Sequence, residues 1–306
     1  MENLEMKKTV GAADVAILKQ IIKNKIDFVA LIEVVNGNPN GDPDAANMPR
    51  QMIESRKGLI SDVCIKRKVR NYIAERYDDM PGMGIFIRHG VPKDAAQEAA
   101  MASVPEKPKG KKAGITNMEY AIALKKWMCD EFWDVRAFGA VCQRFTKEKI
   151  DGAIRGAVHV GFAESVDPII VQRVGITCCA VANEKEAEAG KNNTMGTKYI
   201  VPYGLYKVTG HVLPVVAEKN DFTEEDLAKF FDAFLHMFEG DHSAARGDMA
   251  VKKLVVFTHN SKWGSAFEDC ITSAVKAVKK VETPASFDDY DVTIDNVENV
   301  NIKVLR

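Results

Sequence analysis

Short apolar runs alternate with helical repeats along the chain, and this pattern predicts a mixed α+β fold. The run IDFVALIEVV at 26–35 is apolar and β-branched, which is typical of a buried strand. The loop that follows, 36–50, holds two Asn-Gly pairs and three prolines, which exclude a helix or a central strand. Ser61 is then placed to cap a helix that runs to about Tyr77.

Further helices and strands complete this pattern. The pair Thr116 and Glu119 matches a capping box that opens a helix to about Phe132. Thr223 precedes the clearest helix, whose apolar residues repeat at spacings of three and one, and Gly240 is placed to end it. The runs with strand character are GIFIR (84–88), AFGAVC, AVHVGFAE, PIIVQRVGITCCAVA, YGLYKVTGHVLPVV and KKLVVFTH.

The end of the chain predicts a helix over about 265–280 and two short closing strands. The order of elements favours an α+β sheet with helices on one face, such as a ferredoxin-like or RNA-recognition-type core with long insertions. Residues 1–25 form an N-terminal extension, and 26–306 form a single domain. Within this domain, the content of Ala, Lys, Pro and Gly at 92–114 predicts a flexible, basic insertion rather than a core element. Residues 184–198 predict a long polar loop with a methionine near its tip.

Composition is that of an ordinary globular protein. The 306 residues include 46% hydrophobic ones, and no apolar run is long enough to span a membrane. Without a signal-peptide pattern, the sequence predicts a cytoplasmic protein. Its six cysteines contain no CxxC pair, which favours reduced, buried thiols.

Charge is unevenly distributed although the net charge is −1. Residues 50–76 contain eight basic and three acidic side chains, whereas 282–298 contain six acids and no base. Separate basic and acidic regions can bind a polyanion on one face, or dock copies of the chain head to tail. Two solvated surface stretches explain the charge pattern as well, and charge alone favours that simpler explanation.

Sequence motifs for catalysis are mostly missing. The chain has no HExxH or GxSxG, no zinc-ligand spacing, and in GKNNTMGTK (190–198) only an imperfect likeness to a phosphate loop. Asp42 and Asp44 are better explained by hydrogen bonds within their own loop than by metal binding. We therefore expect no catalytic residue, no cofactor and no metal. His89 and His242 are the only candidates for a general base.

Other residues suit a single-stranded polyanion. Asparagines beside a sheet edge supply donors and acceptors, and a helical stripe of cations can hold phosphates. Surface solubility explains each of these signals about as well. The residues are Asn36, Asn38, Asn40, Lys66, Arg67 and Arg70.

Two segments at the start of the domain carry a specific resemblance. VVNGNPNGDPDAANMPR (34–50) and GLISDVCIKRKVRNYI (58–73) resemble the opening of the backbone subunit of CRISPR type I Cascade complexes. The run SAARGDMAVKKLVVF is similar to subtype I-C rather than I-B. The resemblance covers about 26–260. Four further blocks match in order: DVRAFGAV (134–141), RGAVHVGFAESVDPI (155–169), TMGTKYIVPYGLYKVTGHV (194–212) and HSAARGDM (242–249).

The resemblance implies a non-catalytic subunit that binds guide RNA. Copies of such a subunit stack head to tail along the RNA, kink it at regular intervals and present it for pairing with target DNA. The partners implied are a large subunit, small subunits, a guide-processing subunit and a recruited helicase-nuclease.

The resemblance also implies a hand-like shape. The palm is a modified RNA-recognition fold, the finger insertion covers about 84–115, and the thumb hairpin covers about 183–204 with Met195 as a wedge. Residues in the matching blocks that it assigns to RNA are Arg50, Arg136, Arg155, Lys198 and Arg246.

Two other functions remain open from the residues. One is a metal-independent endoribonuclease that processes CRISPR precursor RNA, with His89 or His242 as the base. The other is a structural protein that binds no RNA.

Overall fold

A computed structural model describes residues 20–104, 117–147, 149–180 and 194–306. Its β-strands are β1 Ile26–Gly37, β2 Gly41–Asp42, β3 Met48–Pro49, β4 Lys57–Ile60, β5 Gly139–Val141, β6 Ala153–Arg155, β7 Val158–Val160, β8 Ala163–Pro168, β9 Gln172–Cys178, β10 Thr194–Val212, β11 Asp248–His259, β12 Val275–Lys279, β13 Tyr290–Ile294 and β14 Val300–Val304. The helices are α1 Asp62–Tyr77, α2 Lys93–Ser103, α3 Asn117–Glu131, α4 Trp133–Phe138, α5 Gln143–Lys147, α6 Pro214–Asn220, α7 Glu224–His236 and α8 Glu268–Ala274.

An eight-stranded sheet forms the centre of the molecule. Its order is β14-β11-β1-β10-β8-β4, and β7 and β9 also pair with β10. The predicted buried strand is confirmed, because β1 pairs antiparallel with both β10 and β11. We call one end of this sheet the Ile26 end, where Ile26 pairs with Val212 and Thr258. The other is the Gly37 end, where Gly37 pairs with Val201.

Each face of β1 packs into a different core. Phe28, Ala30 and Ile32 point into the larger core, which α1 and α7 cover. Successive side chains of a strand alternate between faces, so Val29 and Leu31 point to the opposite side. There they pack against α8 and the β12–β13 hairpin. Both faces of the sheet are therefore covered, although the sequence predicted helices on one face only.

Helix α7 begins as the sequence predicted. Thr223 accepts a hydrogen bond from the Asp226 backbone, and Asp226 accepts one in return, which completes a capping box. The aromatic stripe packs on β1, with the ring of Phe28 5.5 Å from that of Phe230. The helix ends at His236, before the predicted stop at Gly240.

The described part of the predicted finger insertion belongs to a second packed lobe. Helix α2 lies within 92–114 and buries Ala100 against residues of α3, so this stretch is not only a flexible insertion. GIFIR (84–88) forms no strand; Gly84 makes a single bridge to Phe132. Residues 105–116, including the Thr116 cap, lie outside the described residues.

Three further boundaries differ from the sequence prediction. Ile22 is buried in the larger core, so the domain includes at least residues 21–25 of the predicted extension. The AFGAVC run begins inside α4. The helix predicted at 265–280 ends at Ala274, and strand β12 begins at the next residue. The apolar runs involved fit a buried helix as well as a buried strand, which is why periodicity alone did not distinguish them.

The cysteines divide into buried and exposed groups. Burial raises the pKa of Cys129 to about 12 and that of Cys142 to about 11, so both thiols stay protonated at neutral pH. Cys178, Cys179 and Cys270 are exposed, which corrects the prediction that the thiols are buried. Among the helices of the described residues, none has the length and apolar character that crossing a membrane requires.

Candidate nucleic-acid interface

Two backbone segments cross in contact at the Gly37 end of the sheet. The backbone amide of Asn38 donates to the backbone carbonyl of Ala245 at 2.7 Å. A Cβ at Gly37 would lie 1.8 Å from the Arg246 carbonyl oxygen, and Gly247 has a φ of +55°. Only glycine fits both positions without displacing backbone. The crossing holds the loop after β1 against the loop before β11.

A polar cleft of about 290 Å³ lies beside this crossing. Its wall is formed by the loop after β1, the exposed side of α1 and the loop before β11. Four of the residues predicted from sequence meet here, although they lie in three separate parts of the chain. Its principal polar side chains are Asn38, Asn40, Asn47, Arg67, Lys68, Asn71, Asp241 and Arg246.

Asp241 neutralises two of the cations in the cleft. It forms ion pairs with Lys68 and with Arg246. Lys68 is buried, and its ammonium also lies 5.4 Å from the centre of the Phe238 ring. Arg67 is exposed and forms no ion pair or hydrogen bond with the described part of the chain. Arg67 therefore retains an unpaired charge at the cleft.

Lys68 is not among the site residues predicted from the sequence. It lies three residues after Ile65 and one before Val69, so it occupies the apolar face of α1. A lysine on such a face needs a buried anion, and this rule could have identified it. The partner, Asp241, lies 173 residues further along the chain, and no local pattern connects the two.

The three predicted asparagines have different environments. Asn36 is exposed in the left-handed conformation at φ 50°. Asn40 accepts hydrogen bonds from the Ser61 amide and hydroxyl, each at 2.9 Å, and thereby joins the loop to the start of α1. Asn38 is 8% exposed, and its amide nitrogen donates to the Asn47 carbonyl at 2.7 Å. Its Oδ1 is buried and has no hydrogen-bond partner.

Arg70 is used inside the protein. Its Nε donates to Asp134 at 2.7 Å, and its guanidinium lies 5.0 Å from the centre of the Phe138 ring. Asp134 is fully buried and also accepts from the backbone of Phe86 and Ile87. This pair joins α1 to the second lobe, which argues against a role for the Arg70 guanidinium in direct RNA contact.

Arg136 is also committed to internal contacts. Its guanidinium donates to both carboxylate oxygens of Asp226, at 3.2 and 2.8 Å, and to the carbonyls of Gly82 and Cys129. The residue is 8% exposed. This geometry argues against a direct contact between Arg136 and RNA, because its donors point into the protein.

The other predicted cations keep more of their surface. Lys66 pairs with Asp62 at 2.9 Å, and Arg50 pairs with Asp42 at 3.5 Å. Arg155 is exposed on β6 and has no ion pair within the described residues. Burial of the His159 imidazole, together with the charges of Arg155 and Lys66, lowers the pKa of His159. His159 therefore stays neutral near pH 7.

A two-stranded ribbon carries the predicted wedge. Strand β9 pairs with the first part of β10, from Gln172 opposite Ile200 to Cys178 opposite Thr194. Met195 is 83% exposed on this ribbon, and Lys198 Nζ donates to the Ala244 carbonyl at 3.3 Å. The ribbon therefore starts earlier than the predicted thumb at 183–204. Residues 181–193 lie outside the described residues.

The candidate bases have no arrangement for proton transfer in the described structure. His89 and His242 are exposed, and neither has a hydrogen bond or ion pair with another described residue. Within the described ranges, no three His, Cys, Asp or Glu residues are placed to hold a metal ion.

The fold and cleft define an α+β protein that presents a polar, arginine-containing cleft at one end of a large antiparallel sheet. Residues 24–295 match the family model described as CRISPR-associated protein Cas7, and the chain belongs to this family. A search of curated proteins gave no match.

Two solved structures are similar to this chain. One is described as a CRISPR RNA-guided surveillance complex, pre-nicking; its chain has 16% identity and a TM-score of 0.49, over 76% of this chain and 78% of that one. The other is described as a CRISPR RNA-guided surveillance complex; its chain has 13% identity and a TM-score of 0.46, over 84% of this chain and 78% of that one.

Proposed function

We propose that this protein is a non-catalytic backbone subunit of a type I-C CRISPR surveillance complex. Copies bind guide RNA head to tail, kink it at regular intervals and leave it free to pair with target DNA. The working complex adds large, small and guide-processing subunits and recruits a helicase-nuclease. Membership of the Cas7 family supports the general role, and the sequence blocks shared with subtype I-C support the narrower one.

The cleft at the Gly37 end is the observation that carries this proposal. Arg67 projects an unpaired positive charge, while Asp241 holds Lys68 and Arg246 in fixed positions beside it. Phosphate contacts of this kind give affinity without reading sequence. Guide RNA differs in sequence from one spacer to the next, so a subunit that binds every guide needs such contacts.

The ribbon supports a role in shaping the RNA. Met195 extends from it in solvent, while Lys198 connects its base to the loop that borders the cleft. An apolar side chain inserted between bases unstacks them at a cost of a few kcal/mol, and cationic contacts nearby offset this cost. The arrangement therefore fits a wedge placed close to a phosphate site.

An Arg67→Ala variant tests the proposed interface directly. We expect RNA affinity to fall about tenfold near 0.1 M salt, because one phosphate contact is lost, and the slope of log K against log salt to fall by about one. Fluorescence anisotropy with two unrelated RNAs of guide length measures both quantities. The loss should be equal for the two sequences.

Arg76→Ala is the matched control. Arg76 is exposed on the same helix but lies against the Tyr72 ring, nine residues from Arg67 and thus on the opposite side. The RNA affinity of the Arg76→Ala variant should stay close to that of the unmodified protein. Equal losses in the two variants would refute a localised interface, and no RNA binding by the unmodified protein would refute the function itself.

A further inference from the structure

A second recess lies at the Ile26 end of the sheet, away from the cleft. This groove has a volume of about 940 Å³, and Ile122, Ile154 and Val216 are among its apolar lining residues. Trp263 at its edge is 79% exposed, and Met118 beside it is also exposed. Apolar surface of this extent usually marks an interaction site, and tryptophan is the residue most enriched in the energetic centre of interfaces.

The side chains around this groove are mainly cationic. Glu268 is the one acid among its described lining residues. Arg155 and Lys219 have no ion-pair partner within the described part of the chain, whereas the other four cations pair with acids of the same chain. The six are Lys25, Lys125, Lys126, Arg155, Lys219 and Lys262.

The same chain displays a rigid apolar turn near the other end of the sheet. Ile53 at the tip of this turn is 96% exposed. The Met52 amide donates to the Lys57 carbonyl at 2.8 Å, and the Arg56 amide donates to the Met52 carbonyl at 3.0 Å. Gln51 Nε2 adds a bond to the Arg56 carbonyl at 2.7 Å. A turn held in this way loses little conformational entropy on binding.

Contacts of Ile169 place this turn near the Gly37 end. The Ile169 amide donates to the Arg56 carbonyl at 2.9 Å, and its side chain packs on Gly204. Gly204 pairs with Val34, three residues before the end of β1. The turn and the groove therefore lie at opposite ends of the same sheet.

Acidic side chains border the turn. Lys57, at the base of the turn, pairs with Pro168, and the neighbouring Asp167 accepts a hydrogen bond from Tyr290 at 2.9 Å. Tyr290 belongs to the acidic segment 282–298. Three acids in this region are exposed and form no ion pair within the described residues: Glu54, Glu282 and Asp288. Arg56, in the turn itself, is an exposed cation that also has no ion pair there, so acids outnumber it three to one. The apolar tip, with more acids than cations beside it, complements an apolar groove with cations around it.

We propose that the groove receives the Ile53 turn of a second copy of this chain, with Glu54, Glu282 and Asp288 of that copy facing the cations of the groove. The proposal rests on the proposed function and names the two surfaces that would meet along the RNA. Because they lie at opposite ends of the sheet, each copy keeps one free turn and one free groove. Such a contact does not close on itself and extends into a row of copies.

Two variants with complementary defects test the proposal. Ile53→Asp removes the tip but keeps the groove, and Trp263→Asp damages the groove but keeps the tip. Sedimentation velocity over a protein concentration series, with and without RNA that accommodates several copies, measures the assembly. We expect each variant alone to lose more than about tenfold in self-association. An equal mixture should form pairs and stop there, because only one intact turn and one intact groove can meet.

Val91→Asp is the control, since it places the same charge at another exposed apolar position. It should assemble like the unmodified protein. Assembly of either complementary variant at the unmodified level, a mixture that forms no pairs, or an unmodified protein that never self-associates would each overturn the proposal. Binding to an RNA that accommodates a single copy separates this failure from failure of the proposed function, because Ile53→Asp should bind it normally.

Discussion

Replacing Arg136 with methionine is expected to lower the free energy of unfolding by ~3–5 kcal/mol, because the substitution leaves the buried carboxylate of Asp226 without its charged partner. The carbonyls of Gly82 and Cys129 also lose their donor. Asp226 contributes to the capping box of α7 as well, so the loss should extend to the packing of that helix. Urea unfolding followed by circular dichroism measures the change.

Arg155→Met provides the comparison. The family resemblance assigned both arginines to RNA, but Arg155 is exposed and has no ion pair within the described residues. Its variant should unfold at the same urea concentration as the unmodified protein. A double Arg136→Met, Asp226→Asn variant should lose less than the sum of the two single losses, because the two residues act as a pair. Arg136→Met with unchanged stability would contradict the internal role.

The different environments of the predicted arginines show what a sequence pattern can identify. Residue type and position in a matching block marked Arg67, Arg136 and Arg155 alike. Whether a guanidinium faces solvent or a carboxylate depends on a partner brought close by the fold; for Arg136 that partner is Asp226, 90 residues away. Local patterns carry no information on such pairs, which explains why the burial of Arg136 could not be predicted.

Local signals predicted elements well wherever one face of a segment was clearly apolar. The Ser61 and Thr223 caps begin α1 and α7 as expected, and β1 is the central strand. Predictions were weaker where composition suggested flexibility. Helix α2 has few large apolar residues, and it is packed because Ala100 fits against the second core. Small buried side chains such as alanine contribute little to the hydrophobic pattern of a sequence.

The candidate cleft could be predicted in part. The asparagine-rich loop and the basic helix were identified from their sequences, and both line the cleft. Their meeting with the 241–247 loop depends on the crossing of Gly37 with Arg246, which is a contact between distant parts of the chain. The sequence therefore indicated which segments form the cleft. It did not indicate what each side chain contacts there.

A buried acid at the Ile26 end has the second large expected effect. Asp27 is almost fully buried; His259 lies 2.7 Å from one of its carboxylate oxygens and His211 lies 2.8 Å from the other. Burial alone would raise the pKa of Asp27, but the bonds from both histidines and the charge of Lys25 hold it below its ordinary value. The folded state therefore stabilises the carboxylate form.

This pKa direction fixes how stability should depend on pH. A lowered pKa means that the unfolded chain binds a proton more readily at Asp27 than the folded one does. The stability that the charged Asp27 contributes is therefore complete above the ordinary aspartate pKa of about 4. It is lost as pH falls through the lower pKa of the folded state. At neutral pH, Asp27→Asn should cost ~3–5 kcal/mol, because Lys25 and the two histidines lose a buried anion.

Urea unfolding at several values between pH 7 and pH 3 tests this expectation. The difference between Asp27→Asn and the unmodified protein should be largest near neutrality and should shrink below about pH 4, where protonation makes the native carboxyl resemble the amide. Asp291→Asn, an exposed change without an ion pair in the described structure, is the control and should show no such convergence. A difference that stays constant over the whole range would mean that the amide disturbs packing and that the charge of Asp27 contributes no stability.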